Sequence, residues 1–273
     1  MLCDSSLEGY RIPNVKDRLI AMLFTDNTTV YLSNRDSWEE LRSILDLWCQ
    51  ASGAKFNIEK TQVIPIGNLD YRCAVVEMRR IGLMQDAIPV NVHIAHDGEA
   101  VRILGAFVGN AVDMAAPWTQ ILDHIQEKCD MWEWMHPTIE GRRLLIQIYA
   151  GGLTQFLTQA QGMLDSVLMQ VQRMICNFAW DNQGKTSMNK SIMLAVIADG
   201  GMQVLDIKMR NDAIEVMKLK SYLRFDANQP STVYVKDAII NQHIKKGTPQ
   251  VKAMANTVLQ TWTVNVTHNT QLP

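Results

Sequence analysis

Apolar residues are spaced differently in the two halves of the chain. In the first half they come in short runs. Residues 18–24 are largely apolar, Thr25, Asp26 and Asn27 form a polar break, and 28–32 is a second run rich in β-formers. Two such runs about a tight polar turn predict a hairpin over 18–32. Asp-Asn suits the turn, because short polar side chains bond the local backbone and tolerate left-handed conformations. Asp36 with Glu39 three residues on has the form of an N-terminal helix cap. Leu41, Leu45 and Trp48 follow at helical spacing, and Gly53 fits a helix-ending position, so a helix is predicted over 37–51. Residues 61–66 read as a strand stopped by Pro65 and Gly67. The alternation of Val90, Val92 and Ile94, then of Val101, Ile103, Leu104 and Phe107, predicts further strands within 88–109.

From Pro117 onward the period becomes helical. Trp118, Ile121, Leu122, Ile125 and Cys129 fall on one face. Residues 142–161 and 163–180 predict two more helices, Gly200–Gly201 a break, and 204–225 a last long helix with Leu205, Met209, Ala213, Val216 and Leu219 on one side. Trp118, Trp132, Trp134 and Trp180 read most simply as core or groove-lining residues. The last dozen residues are polar and rich in Thr and Asn, a fraying end. The pattern predicts an α+β chain: a mixed region 1–112, a helical region 113–225 and a weakly ordered tail 226–273.

Composition excludes several classes. Apolar residues make up 47% of the 273 and charged residues 20%, the balance of a chain that buries a core. No apolar stretch approaches the ~20 residues of a membrane span, and the N-terminus, with Asp4 and Glu8, lacks the pattern of a signal peptide. An intracellular chain with no membrane partner is expected. Five scattered cysteines without a CxxC pair argue against a disulfide scaffold and suit a reducing compartment. Charge is uneven. Residues 61–140 carry 5 basic and 11 acidic side chains, whereas 141–225 carry 10 and 6. The mild basic excess is thus confined to the helical region and beyond. His93 and His96 lie three apart with no further Cys or His cluster near, and read as surface histidines. Gly151–Gly152 and Gly200–Gly201 lack the pattern of a phosphate loop and read as helix breaks.

Three blocks carry chemistry together. The stretch Ala21-Met-Leu-Phe-Thr-Asp-Asn-Thr-Thr-Val-Tyr-Leu-Ser33 resembles the hairpin of reverse transcriptases that bears their [YF]-A-D-D motif. Ser52-Gly-Ala-Lys-Phe-Asn-Ile-Glu-Lys-Thr61 is similar to the family's next block, G-x-K-x-N-x-x-K-[ST], and Arg102-Ile-Leu-Gly105 to its short LG block. The order and spacings fit, and the likeness is greatest to LINE-type (non-LTR) retrotransposon enzymes, especially fungal ones. It extends through Pro117-Trp118, Gly151-Gly-Leu-Thr-Gln155 and Gly200-Gly-Met-Gln-Val-Leu-Asp-Ile207, and covers about residues 5–225. The resemblance implies the back of a polymerase palm over 1–112 and a thumb-like region over 113–225. Its cofactor is Mg²⁺ and its partner an RNA/DNA primer–template, with nucleotides as the small-molecule substrates.

By the same resemblance, Asp26 fills the first aspartate position of the catalytic hairpin, and Asn27 fills the second. The family's third carboxylate lies upstream, in a segment expected to precede Met1. Two divalent ions about 3.5–4 Å apart need several anionic ligands to offset their repulsion, and Mg²⁺ prefers carboxylate and phosphate oxygen. Asp26 is then the only metal-ligating carboxylate of the triad, so no stable Mg²⁺ site and no polymerase activity are expected. Read from the residues alone, Asp26 is a turn residue. Lys60 corresponds to the lysine near the leaving pyrophosphate, or is a solvated lysine before a strand. Leu104 and Gly105 correspond to the primer grip, where Gly105 also suits a plain turn. Arg142, Arg143 and Arg173 are the candidate nucleic-acid contacts of the basic region. The reading is a truncated, degenerate reverse-transcriptase segment; the alternative is a nucleic-acid-binding or protein-interaction module without catalysis.

Overall fold

A computed structural model describes residues 1–11, 18–82, 84–180, 189–224, 230 and 232–242. The fold is α+β. The chain divides into two compact units, residues 1–96 with the stretch from Arg224 onward, and residues 97–223. The division expected after residue 112 thus falls after His96, and the strands of 101–108 go with the helices.

In the first unit, β1 (Tyr10–Arg11) pairs antiparallel with β2 (Arg18–Leu19). The expected hairpin forms from β3 (Ala21–Phe24) and β4 (Asn27–Val30), in register from Ala21↔Val30 to Phe24↔Asn27. This register leaves Thr25 and Asp26 as a two-residue loop. Thr25 takes a positive φ of 54°, a conformation that twists a hairpin correctly but strains a β-branched residue. The base of the hairpin is anchored: Tyr31 N–H donates to Ile20 C=O at 2.7 Å, and Ile20 is buried with Leu7 and Leu41. Its tip is not. Met22, Leu23 and Phe24 are 55%, 72% and 62% exposed, on both faces of the ribbon.

Helix α1 (Trp38–Ser52) closely matches the expected 37–51, and Gly53 ends it in the left-handed region, its N–H on Cys49 C=O. The cap differs from expectation. Ser37, not Asp36, is the N-cap, its hydroxyl accepting from Glu39 N–H. Asp36 is buried instead, and its carboxylate accepts from the N–H groups of Glu8 (2.6 Å), Gly9 (2.9 Å) and Ser33 (2.7 Å). A carboxylate that answers three backbone donors is worth more there than at an exposed helix end.

The strand expected over 61–66 shrinks to β5 (Gln62–Val63), paired parallel with β6 (His93–Ile94). Val90, expected on the same face as Val92 and Ile94, is exposed outside β6, while the other two join Val75, Ile81 and Ile88 in a core cluster. Helix α2 (Leu69–Met78), capped by Asn68, has no counterpart in the sequence reading. Val75 is its one buried residue, so it carries no continuous apolar stripe.

The second unit opens with the hairpin of β7 (Val101–Ile103) and β8 (Ala106–Val108). Helices α3 (Ala116–Glu133), α4 (Ile139–Ile146), α5 (Gly152–Gln161), α6 (Asp165–Ala179), α7 (Lys190–Leu194) and α8 (Ile207–Tyr222) follow. One π turn, Gln147–Gly151, joins α4 to α5, so the helix expected over 142–161 is continuous but changes register once. The core gathers Trp118, Ile125, Ile146, Leu157, Val171, Ile175, Phe178, Met193 and Ile207, and the expected stripe of α3 points into it.

The expected apolar face of α8 is turned outward: Met209 and Val216 are 66% and 62% exposed. The inward side carries Ile207 and Arg210. The Arg210 guanidinium reaches back to Gly151 C=O (2.9 Å) and Thr154 Oγ1 (2.7 Å), next to the π turn. Polar satisfaction of that turn, rather than methionine burial, sets the rotation of α8. Trp118 is buried and Trp132 and Trp180 pack against the core, but Trp134, expected there too, is 85% exposed. Of the tail 226–273, the described part is Pro230 and α9 (Thr232–Gln242); the rest lies outside the described residues.

Candidate functional site

Asp26 sits at the exposed tip of the β3–β4 hairpin. Its nearest polar partner is its neighbour: Asn27 Nδ2 donates to Asp26 Oδ1 at 3.2 Å. The amide acts here as a hydrogen-bond donor to the one carboxylate of the turn, the opposite of what a cation requires of it. Among the described residues no group of three His, Cys, Asp or Glu side chains could hold a metal ion. This donor set does not fit a pair of Mg²⁺ ions, because one carboxylate cannot offset the repulsion of two divalent charges.

The block around Lys60 has a local structural logic. Gly53 closes α1. Asn57 caps a single 3₁₀ turn over Ile58–Lys60 by accepting from Lys60 N–H at 3.2 Å, and Thr61 Oγ1 donates back to Asn57 C=O at 3.0 Å. The chain then enters β5. Lys60 itself is exposed, and no ion pair joins it to Asp26 among the described residues.

Leu104 and Gly105 form the turn of the β7–β8 hairpin, both at positive φ (51° and 88°). The positive φ favours glycine at residue 105, and a Cβ there would stand 2.9 Å from Phe156 Cε1 of α5, a half-exposed ring that would have to shift. The hairpin is tied to the same helix by Gln161, whose Oε1 accepts from Phe107 N–H (2.9 Å) and whose Nε2 donates to Phe107 C=O (2.7 Å). That side chain pairs with β8 as a further strand would. Leu104 is half exposed at the tip.

The three candidate arginines do not form one surface. Arg142, expected to face nucleic acid, is buried: Nη1 donates to Phe178 C=O at 2.6 Å, Nε to Pro137 C=O, and the guanidinium lies 5.2 Å from the Phe178 ring centre. It ties α4 to the end of α6, so it cannot reach a phosphate. Arg143 is held by Glu140, its Nε 3.1 and 3.0 Å from the two carboxylate oxygens. This pairing raises the Arg143 pKa and lowers that of Glu140. Arg173 is exposed on α6.

One feature with chemical character escaped the sequence. A small apolar cleft beside the π turn is lined by Ile125, Cys129, Trp132, Tyr149, Ile175 and Phe178, and Trp132 Nε1 donates to the Tyr149 hydroxyl at 3.2 Å. Burial, with Asp130 and Glu133 alongside, pushes the Cys129 thiol from 9.0 up to about 11. A thiol held that high is protonated at neutral pH and is no nucleophile. With a thiol-specific disulfide reagent at pH 8, exposed Cys3 and Cys73 are expected to react first and Cys129 only on unfolding; early modification of Cys129 would contradict this burial. Because the folded value lies above the unfolded one, the Cys129 contribution to stability is complete below pH 9 and is lost as pH rises toward about 11.

Comparison with protein-family models and with curated proteins finds no match for this chain.

Proposed function

We propose that the chain is a degenerate reverse-transcriptase segment of LINE type in which nucleotidyl transfer has been lost. The reading is supported by one observation above all: each of the three ordered blocks that carry the resemblance coincides with a discrete local structure. The block at 21–33 spans a two-residue hairpin with Asp26 in its loop. The block at 52–61 is a helix stop, a capped turn and a strand entry. The block at 102–105 is a strand ending in a glycine turn. A further pair of resembling stretches packs together in the second unit, where Leu205 lies over Gly151 so closely that a Cβ there would be 2.9 Å from Leu205 Cδ2.

Loss of chemistry rests on charge at the turn. Asp26 is its only carboxylate, and Asn27 supplies no anion. The purified chain is expected to show no incorporation on poly(rA)/oligo(dT) with Mg²⁺ or Mn²⁺, and Asn27→Asp alone is expected not to restore it. Incorporation above background that disappears in Asp26→Ala would overturn the inactive reading.

The alternative, a module that binds nucleic acid without catalysis, is less well supported. Of its three candidate arginines, Arg142 is buried and Arg143 is paired with Glu140. Fluorescence anisotropy on a labelled RNA/DNA primer–template distinguishes the two readings: tight binding that weakens steeply with salt and with Arg173→Ala would favour the module.

A further inference from the structure

Tryptophan is a large residue that is highly buried on average, yet Trp134 is 85% exposed. It closes α3 with helical backbone angles, and so continues the periodicity of that helix. Counting 100° per residue, the buried stripe of Trp118, Ile125 and Cys129 lies on one side, and Trp134 lies opposite it, in line with Glu127 and Asp130 and flanked by Met131. Met131 is 45% exposed, and Met135, the next residue along the chain, is 72% exposed. Glu127 and Asp130 are exposed too. The outer face of α3 thus carries two carboxylates over its last turns and ends in two large apolar side chains, Met131 and Trp134, with Met135 following just beyond the helix. Single exposed apolar residues are ordinary, but an exposed Trp beside two methionines marks a contact surface. Methionine adapts to partners of irregular shape.

The charge on this face decides between occupants. Phosphate backbones and anionic bilayers are repelled by Glu127 and Asp130. A symmetric contact with a second copy would set these carboxylates against themselves. A chain with basic residues around an apolar anchor meets both parts of the surface favourably. We propose that the outer face of α3 is a docking surface for a basic amphipathic polypeptide segment, with Trp134 and Met131 taking its apolar side and Glu127 and Asp130 its cations. The inference is independent of the polymerase reading, since it uses neither the hairpin at Asp26 nor the basic residues of the helical region.

The test uses the full chain and a fluorescein-labelled peptide of leucine and lysine patterned as an amphipathic helix, followed by anisotropy. Binding that weakens about tenfold in Trp134→Ala, and about tenfold in Glu127→Lys/Asp130→Lys with loss of its salt dependence, is expected. All these positions are exposed, and unchanged far-UV circular dichroism confirms that the variants fold. Equal affinity of wild type and Trp134→Ala overturns the proposal, as does equally tight binding of oligolysine, which would reduce the face to its charge. Trp134-dependent partition into phosphatidylcholine vesicles without peptide binding, or Trp134-dependent self-association in sedimentation, overturns it in favour of a bilayer or a second copy.

Discussion

Gly201→Ala is expected to destabilise the second unit by more than about 3 kcal/mol. Residues 195–204 fold back tightly. Gly201 N–H donates to Val196 C=O at 3.0 Å, Gln203 N–H to Ala195 C=O at 2.8 Å, and Val204 N–H to Met193 C=O at 3.0 Å. A Cβ on residue 201 would overlap the Ala195 carbonyl and approach Ala195 Cβ to 2.6 Å. Backbone cannot swing aside as a long side chain can, so the loop would open and release buried Met193 and Val204 from the core. Gly200→Ala is the internal control. Gly200 has a positive φ of 79° but open space around it, so its substitution should cost only the left-handed penalty of about 1–2 kcal/mol. Urea unfolding followed by far-UV circular dichroism separates the two; equal costs would show that the close approach to Ala195 is absent.

Asp36→Ala is expected to cost about 3 kcal/mol in the first unit. Its carboxylate is the common acceptor for Glu8, Gly9 and Ser33 N–H groups. Removing it leaves these donors unanswered and frees the N-terminal segment that brings Leu7 against Ile20 and Leu41. The base of the β3–β4 hairpin would loosen with it. Asp36→Asn keeps one acceptor oxygen but turns an NH₂ toward three donors, so it should fall between wild type and alanine. Faster amide exchange at Glu8, Gly9 and Ile20 in Asp36→Ala is the corresponding local readout.

These two sites mark how far the sequence could be read. Gly201 was legible as a break in a helical pattern. Asp36 is legible as a polar residue before a helix, but its role is not, because two of the three donors it serves, Glu8 and Gly9 N–H, lie 28 and 27 residues away along the chain. The same holds more widely. The hairpin at Asp26, helix α1 with its Gly53 stop, and the inward stripe of α3 all follow from local periodicity and turn chemistry. Helix α2 was hidden because only Val75 is buried on it. The rotation of α8 was hidden because Arg210 answers a carbonyl 59 residues away. At the candidate site the Asp26 turn and the turn glycine Gly105 fall where local signals put them, whereas Leu104, expected in a strand, shares that turn at positive φ. The role of Arg142 was not legible, since a guanidinium that binds backbone carbonyls and one that awaits a phosphate look alike in sequence.

On the reading proposed above, the Asp26 hairpin corresponds to the catalytic turn of a reverse transcriptase, with Asn27 in place of one of its two carboxylates. Primer extension by four forms tests this reading most directly: the present chain, Asn27→Asp, a fusion that supplies an upstream palm and fingers segment with the third carboxylate, and the fusion combined with Asn27→Asp. The three carboxylates act as one cooperative site, so extension is expected only from the last form. Extension by the Asn27→Asp chain alone would contradict the account, because one restored carboxylate beside Asp26 would then suffice for chemistry that needs three.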